Sequence, residues 1–414
     1  MSHFRLASAL VVLVWLIAIS VASAQTATDP PSDDDLSDFE NALAADKEAM
    51  TKESTSSPNP AEPVVRAVAS AAPSMNPNIS IIMDAAAAYF SEDEPLQAGG
   101  HDPNKTGFTL QQVELHADAN VDHVFKFDAN IVFTQFGVEV EEAYATTLSL
   151  PANLQVRAGQ FLNRFGRLNA THPHAWQFLD QPIVNGKFFG GEGSRGVGAE
   201  VSYLAPLPWY TEIIGATMGS DGECCSRSFY GADDKGIDDH RDLLYSTALK
   251  QFFPMGSDWS LMLGASGQFG PNPTGQGNRS EIYGADVYLR YRPVTSQQRS
   301  ALSLHSEGMF RTRQVPDDVL QDWGSFTQLV WNINPSWETG VRYEYVTGVE
   351  DDYLDPDWTE DRDRVSYQWT YYPSHFSRVR LQGSRDDPKW LDKPTYAVML
   401  GLEVLVGAHG AHSY

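Results

Sequence analysis

Two histidines separated by a single residue, His172 and His174, lie in the stretch FGRLNATHPHAWQF at residues 165–178. Imidazole pairs are suited to binding Zn²⁺. A second pair, His409 and His412, has two residues between its members. Neither spacing is specific, and no Cys or Glu completes a recognisable metal motif. Metal binding by His172, His174, His409 and His412 is therefore a hypothesis that depends on where the surrounding elements place these residues.

The stretch that carries the first pair shows neither the period of a strand nor that of a helix. It lies between two segments that read as β-strands. A connection of this length in a compact domain is usually functional or disordered, and this one is too rich in aromatic residues for disorder. The rest of the sequence must therefore indicate where it lies.

Composition excludes several function classes. The chain has 29 Lys and Arg residues against 54 Asp and Glu, a formal charge of −25, which disfavours nucleic acid and anionic lipid headgroups as partners. We find no serine in a nucleophile setting, no glycine-rich phosphate cradle and no H-E-x-x-H motif. We expect no catalysis and no cofactor.

The first 77 residues read as an export signal and a linker. Residues 1–24 combine Arg5, an apolar run and a small-residue site ending at Ala24, which is typical of a signal peptide cleaved before Gln25. Residues 25–77 are acidic and rich in Ala, Ser and Pro, so they read as a disordered periplasmic linker. A short amphipathic helix within it is an alternative.

After Asn78, apolar and polar residues alternate with a period of two, which is typical of β-strands. In HVFKFDANIVF, for example, Phe125, Phe127, Ile131 and Phe133 share one face. A soluble sandwich would alternate as well. Here, however, the apolar faces are rich in aromatic residues near the strand ends, where a membrane barrel has its aromatic girdles.

The lengths of the connections support a barrel. We expect sixteen strands, with short turns after the even-numbered strands. Most connections after odd-numbered strands are long: 91–107, 163–195, 220–240, 270–278, 314–321, 351–360 and 386–393. This alternation with an even strand number is typical of outer-membrane barrels. The predicted fold is an all-β, sixteen-stranded antiparallel transmembrane β-barrel over residues 78–414.

The sequence resembles the sixteen-stranded outer-membrane porins of the phosphate-selective O/P type and the related barrels labelled zinc-regulated outer-membrane proteins. The stretches that carry the resemblance are GFTLQQVELHADANVDHVFKFDANIVF, LPANLQVRAGQFLNRFGRLNATHPHAW and GAHGAH. The resemblance covers residues 78–414 and implies a porin, often a homotrimer. It gives no residue-level phosphate site.

The resemblance also implies a place for the opening stretch, because the third long loop of such porins folds into the lumen and narrows it. Connection 163–195 is third in the series, so we interpret it as the constriction loop. A cap on the outer rim is the alternative. The expected constriction residues are Arg164, Arg167, His172, His174, Trp176 and Asp180.

Inward positions of the late strands form an arginine-rich wall, whereas early strands present carboxylates such as Glu114 and Glu141. Opposed walls would create a field across the lumen that favours polar solutes. Alternatively, these charges pair between neighbouring strands and only fill a polar lumen. The arginines are Arg290, Arg292, Arg311, Arg313, Arg342, Arg362, Arg364, Arg378 and Arg380.

The sequence thus predicts a passive porin of the bacterial outer membrane for small hydrophilic solutes or ions. Acidic loops could bridge through divalent cations to lipopolysaccharide phosphates, although such runs are more often only solvated. The alternatives for function are a zinc-linked or other metal or anion uptake channel, and a closed structural or adhesion barrel.

Overall fold

Alternating apolar and polar residues form one continuous antiparallel sheet in the computed structural model of the chain. The structure describes residues 77–407, apart from residues 136, 220–225, 231–236, 276, 294–299, 351, 353–355 and 357. The chain divides into units Met1–Ala72 and Pro73–Tyr414, and every described residue belongs to the second unit. The expected signal peptide and nearly all of the expected linker lie outside the described residues.

The described residues form sixteen strands, one short α-helix and three short 3₁₀ segments. The strands are β1 Asn78–Phe90, β2 Gly107–Asn120, β3 Phe125–Phe133, β4 Val138–Thr147, β5 Leu154–Leu162, β6 Arg195–Leu204, β7 Tyr210–Met218, β8 Leu244–Met255, β9 Trp259–Pro271, β10 Arg279–Tyr291, β11 Ala301–Val315, β12 Asp318–Asn334, β13 Trp337–Val346, β14 Arg362–Ser374, β15 Ser377–Pro388 and β16 Thr395–Gly407. Helix α1 is Ile183–Phe189, and the 3₁₀ segments are Pro151–Asn153, Pro173–Ala175 and His240–Asp242.

Each strand pairs with its neighbours in sequence, and β1 pairs with β16 to close a barrel. Closure gives both edge strands a partner, so the sheet has no free edge. The sequence-based prediction of a sixteen-stranded antiparallel β-barrel is confirmed. Among the described residues, no helix has the length and apolarity needed to cross a membrane.

The outward face of the barrel is apolar in its middle and aromatic at both edges. Midway along the strands, Ile213, Leu381 and Leu400 leave 48%, 50% and 48% of their surface exposed. At the edge with the short turns, Trp259 packs against Tyr291 and Trp337 against Tyr371, with ring centroids 4.7 and 4.6 Å apart. At the other edge, Trp323 lies 5.0 Å from Tyr345.

The interior contains buried polar side chains and, among the described residues, two apolar clusters, of which we call the larger the apolar cluster. Inward positions bury groups such as Gln368 and Gln382, both with 0% exposure. The apolar cluster joins residues of the connection after β5 to inward residues of β10 to β13, including Ile282 and Phe326. A segment outside the sheet therefore contributes to the core of the barrel.

The alternation of short and long connections is present, with one exception that the sequence analysis missed. A loop was expected over residues 314–321, but β11 and β12 are joined by a two-residue turn at 316–317. Asp317 adopts φ +65° there, a left-handed conformation that Asp tolerates better than most residues. Arg311 and Asp322 are direct partners across the hairpin, and the pairs Gln314 with Val319 and Val315 with Asp318 extend both strands past their expected ends.

The ion pair between Arg311 and Asp322 should contribute strongly to stability. Arg311 donates from Nε and Nη2 to the two carboxylate oxygens at 2.9 and 2.7 Å, and both side chains are buried. Asp322→Ala should lower the free energy of unfolding by about 3–5 kcal/mol, because it removes the bidentate carboxylate partner of a buried guanidinium whose other carboxylate partner, Asp352, lies farther away at 3.5 Å. Urea unfolding of the folded barrel would measure the change.

The control for this prediction is Asp318→Ala, four positions earlier in the same hairpin. Asp318 is exposed, so its replacement should change the free energy of unfolding by no more than about 0.5 kcal/mol. Equal effects of the two substitutions would contradict a specific contribution from the buried pair. The double variant Arg311→Met/Asp322→Leu should recover part of the loss, because it removes both charges of this pair together but also removes the carboxylate 3.3 Å from the buried ammonium of Lys187.

Candidate functional site

The connection between β5 and β6, residues 163–194, lies inside the barrel, and we call it the inward loop. Its polar groups reach inward side chains of distant strands. Arg164 donates to Glu212 on β7 at 2.8 Å, and the backbone amide of Leu168 donates to Glu307 on β11 at 2.7 Å. Strands so far apart in the wall can share one partner only if that partner crosses the lumen.

The apolar part of the inward loop belongs to the core. All seven residues of α1 are buried. Phe189 lies 5.1 Å from Phe165 between ring centroids, and the backbone amide of Ile183 donates to Glu344 on β13 at 2.7 Å. The loop is therefore held by packing as well as by hydrogen bonds.

The two histidines of the inward loop face glutamates of the barrel wall. His172 places Nδ1 2.9 Å from Glu141 and Nε2 2.9 Å from Glu142. His174 places Nδ1 2.8 Å from Glu114 on β2. The two imidazole rings stack with centroids 5.6 Å apart. The sequence pair thus forms a single cluster with three buried carboxylates.

A β-bulge explains how two consecutive glutamates reach the same histidine. On β3, Asn130 pairs with Glu142 but Ile131 pairs with Val140, so Glu141 is the extra residue in β4. A bulge interrupts the alternation of faces. Strict alternation from the sequence placed Glu141 inward and therefore missed Glu142.

The carboxylates around His172 favour its charged form. Burial alone would lower the pKa of His172, but the negative charges of Glu141 and Glu114 and hydrogen bonds to Glu141 and Glu142 hold it well above its ordinary value. Both ring nitrogens lie within hydrogen-bond distance of carboxylate oxygens, and Nε2 also lies 2.8 Å from Nδ2 of Asn130. An imidazolium can donate to both carboxylates. This ion pair holds the loop against β4.

Asp180 anchors the other side of the inward loop. Its carboxylate has 0% exposure and pairs with Arg342 on β13 and with Arg364 on β14, the latter at 2.8 Å. Gln382 on β15 also donates to it at 2.7 Å. Burial alone would raise the pKa of Asp180, but the two guanidinium groups outweigh that effect and lower it.

The other expected constriction residues also lie on the inward loop, at separate places. The guanidinium of Arg167 lies 4.1 Å from the ring centroid of Tyr288 on β10. The backbone carbonyl of Trp176 accepts hydrogen bonds from Arg378 and Arg380, both at 3.0 Å. The structure therefore spreads the six residues round the wall and does not gather them into one ring.

Most of the expected arginine wall is buried and paired. Arg290 is only partly buried, and Arg292 is exposed beyond the end of β10. The other seven arginines are buried and take part in ion pairs, so pairing between neighbouring groups describes them better than an open basic wall. The pairs are Arg311 and Arg313 with Asp352, Arg311 with Asp322, Arg342 with Asp180 and Glu344, Arg362 and Arg364 with Asp386, Arg364 with Asp180, and Arg378 and Arg380 with Glu403.

Two groups of three side chains could hold a metal ion within the described part of the chain. One is Glu114, Glu141 and His172, and the other is His101, Glu141 and Glu192. In each group one donor atom per residue lies within 4.8 Å of the others. Of the four expected metal ligands, only His172 belongs to such a group, while His409 and His412 lie outside the described residues.

The second group was not found by sequence reasoning. His101 lies in the 91–106 connection and Glu192 in the inward loop, and their side chains meet at 2.8 Å between Nε2 and Oε2. The two residues are 91 positions apart. No spacing pattern could relate them, because their meeting depends on both connections entering the barrel.

Several solved structures share this fold. They include the anion-selective porin from Comamonas acidovorans, at 10% identity and TM-score 0.53 over 80% of this chain and 99% of that one. The outer membrane channel DcaP of Acinetobacter baumannii has 13% identity and TM-score 0.51, covering 80% and 97%. A trimer form of the outer membrane protein OmpT of Vibrio cholerae has 10% identity and TM-score 0.50, covering 80% and 99%.

No protein-family model matches the sequence. An uncharacterized protein of Aquifex aeolicus (strain VF5) is 31% identical over 353 residues, which is 76% of this chain and 73% of the relative. The chain therefore belongs to the same family as this Aquifex aeolicus protein and has the closed-barrel fold of the porins and outer-membrane channels.

Proposed function

We propose that the protein is a passive diffusion channel of the bacterial outer membrane for small hydrophilic solutes or ions. The observation that carries the proposal is the contrast between the two faces of the barrel. An outward apolar band between two aromatic edges surrounds an interior of buried polar groups. This combination is typical of barrels that span a lipid bilayer.

The inward loop would act as the filter of this channel. It crosses the lumen and contacts inward side chains on both sides of the barrel, from Glu114 on β2 to Gln382 on β15. Solutes would pass between the inward loop and the barrel wall, through a passage lined by paired charges and hydrogen-bonding groups. Filtering at such a site depends on size and on polarity and involves no covalent chemistry.

Finer aspects of the sequence-based interpretation belong to the same proposal. A porin of the phosphate-selective O/P type would respond to phosphate, and a metal uptake channel would respond to Zn²⁺. A homotrimer is part of the proposal as well, supported by the trimer form of the similar OmpT structure. A closed structural barrel is the second candidate, favoured by the apolar packing of α1 inside the wall.

The outward face can be tested by placing a charge in the apolar band. Leu400 is exposed at the middle of β16. Leu400→Arg should lower the free energy of unfolding in lipid vesicles by about 2–4 kcal/mol, because an arginine would face hydrocarbon. Ser257→Arg, at an exposed position in a short turn, is the control and should change it by about 0.5 kcal/mol or less. An unchanged free energy of unfolding in Leu400→Arg would argue against a lipid-facing position.

The channel itself can be tested by conductance of the mature protein in a planar bilayer. Stepwise currents are expected, with a salt gradient giving ion selectivity and titrations of phosphate and Zn²⁺ testing the finer assignments. A folded barrel that carries no current would favour the closed structural barrel.

Asp180→Ala should make the inward loop more mobile inside the barrel. It removes a buried carboxylate shared by two arginines, a loss of about 3–5 kcal/mol, so single-channel steps should become larger and more variable. Limited proteolysis should cut within residues 163–194 more readily. Asp118→Ala is the control, because that carboxylate has an ion pair at 3.4 Å with the partly exposed Lys126. Unchanged steps and protection in Asp180→Ala would contradict the role of the loop.

A further inference from the structure

A small cavity lies where the inward loop and the 91–106 connection meet β4. Its polar lining includes His101, Glu141, Asn169, Gln181, Asn185 and Glu192. Glu141 belongs to β4, His101 to the 91–106 connection, and the other four residues to the inward loop. The cavity therefore collects side chains from three separate elements of the barrel.

Three donors in this cavity are close enough to share a ligand. One atom from each of His101, Glu141 and Glu192 lies within 4.8 Å of the other two. The side chains of His101, Glu141 and Glu192 are only 8%, 4% and 11% exposed. The site combines two carboxylates and one imidazole, all buried. Its net charge is negative, which favours binding of a cation.

Unsatisfied polar atoms around the same cavity point independently to a ligand. Among the described residues, Nδ1 of His101, Oε1 of Gln181 and Oδ1 of Asn185 have no hydrogen-bond partner. Gln181 and Asn185 are 3% and 1% exposed. A buried polar atom without a partner costs about 1–3 kcal/mol, so such atoms in native proteins usually face a water molecule or an ion. Each of the three atoms can offer a lone pair.

We propose that this cavity binds one divalent transition-metal cation, with His101, Glu141 and Glu192 as ligands. The amide oxygens of Gln181 and Asn185 line the same cavity and would complete the coordination directly or through water. An imidazole nitrogen combined with carboxylates suits Zn²⁺ or Mn²⁺ better than Ca²⁺, which prefers oxygen ligands alone. The bound cation would cross-link the 91–106 connection, the inward loop and β4.

Glu141 can bind the cation even though it also belongs to the neighbouring cluster around His172. His172 contacts both Glu141 and Glu142 at 2.9 Å. If Glu141 turns toward the cation, Glu142 still compensates His172. The bound cation would therefore add a cross-link between the inward loop and the barrel wall and would not replace the ion pair between His172 and Glu142. It is independent of whether the barrel conducts solutes.

The test is metal binding to the full-length protein, folded in detergent and stripped with a chelator. Zn²⁺ and Mn²⁺ would be titrated by calorimetry in excess Ca²⁺, which occupies the many surface carboxylates, and the bound metal counted by elemental analysis. One ion per chain is expected. His101→Ala and Glu192→Gln should each weaken binding by at least about 100-fold, because loss of an outer-shell partner alone costs about 10–100-fold.

One further variant makes the result specific. His305 forms a similar buried pair with Glu307 at 2.8 Å but does not line the cavity, so His305→Ala should bind the metal as the unmodified protein does. Circular dichroism and heat-modifiable gel mobility would show that each variant is folded. Absence of a saturable ion, unchanged binding in folded His101→Ala, or equal loss of binding in folded His305→Ala would overturn the proposal.

Discussion

The alternation of side chains along the strands places many charged groups inside the closed barrel. The structure depends on pairing these buried charges with opposite ones. Every second side chain of a strand points inward, and here many of those positions carry arginine or a carboxylate. A buried charge is tolerated only when it is paired and hydrogen-bonded. Neighbouring strands supply part of the compensation, as Asp386 does for Arg362 and Arg364. The inward loop supplies much of the rest.

The charge sequence of the inward loop complements the wall that it crosses. His172 and His174 face the glutamates of β2 and β4. Asp180 follows them and faces Arg342 and Arg364 on β13 and β14. The order of charges along the loop therefore matches the order of opposite charges on the wall. This explains why histidines and an aspartate stand so close together in an otherwise irregular connection.

Much of the fold could be predicted from the sequence, because alternation and connection length both report directly on strands. The exception was the hairpin at residues 316–317, where Gln314 and Val315 pair with Val319 and Asp318 and prolong two strands through a region that reads as a loop. Polar residues near a turn fit two interpretations, because the same side chains can be exposed in a loop or can form ion pairs inside the barrel as part of a strand. Local pattern alone does not distinguish these cases.

The candidate site could be predicted only in part, for geometric reasons. The resemblance to sixteen-stranded porins implied that this third long connection enters the lumen, but the partners of its side chains could not be predicted. Glu142 reaches His172 only because a bulge places the extra residue Glu141 before it. His101 and Glu192 meet only because two connections enter the same barrel. Bulges and contacts between loops leave no period in the sequence.

Packing and charge together make the inward loop a part of the core. A loop held only by ion pairs would exchange its partners with water and salt, since exposed pairs are weak and screened. Here α1 is wholly buried, and Phe188 and Phe189 lie in the apolar cluster shared with β10 to β13. Movement of the loop would therefore expose apolar surface and buried charges at once. Such a loop is a fixed element of the fold, and under the proposed channel function solutes would pass between it and the barrel wall.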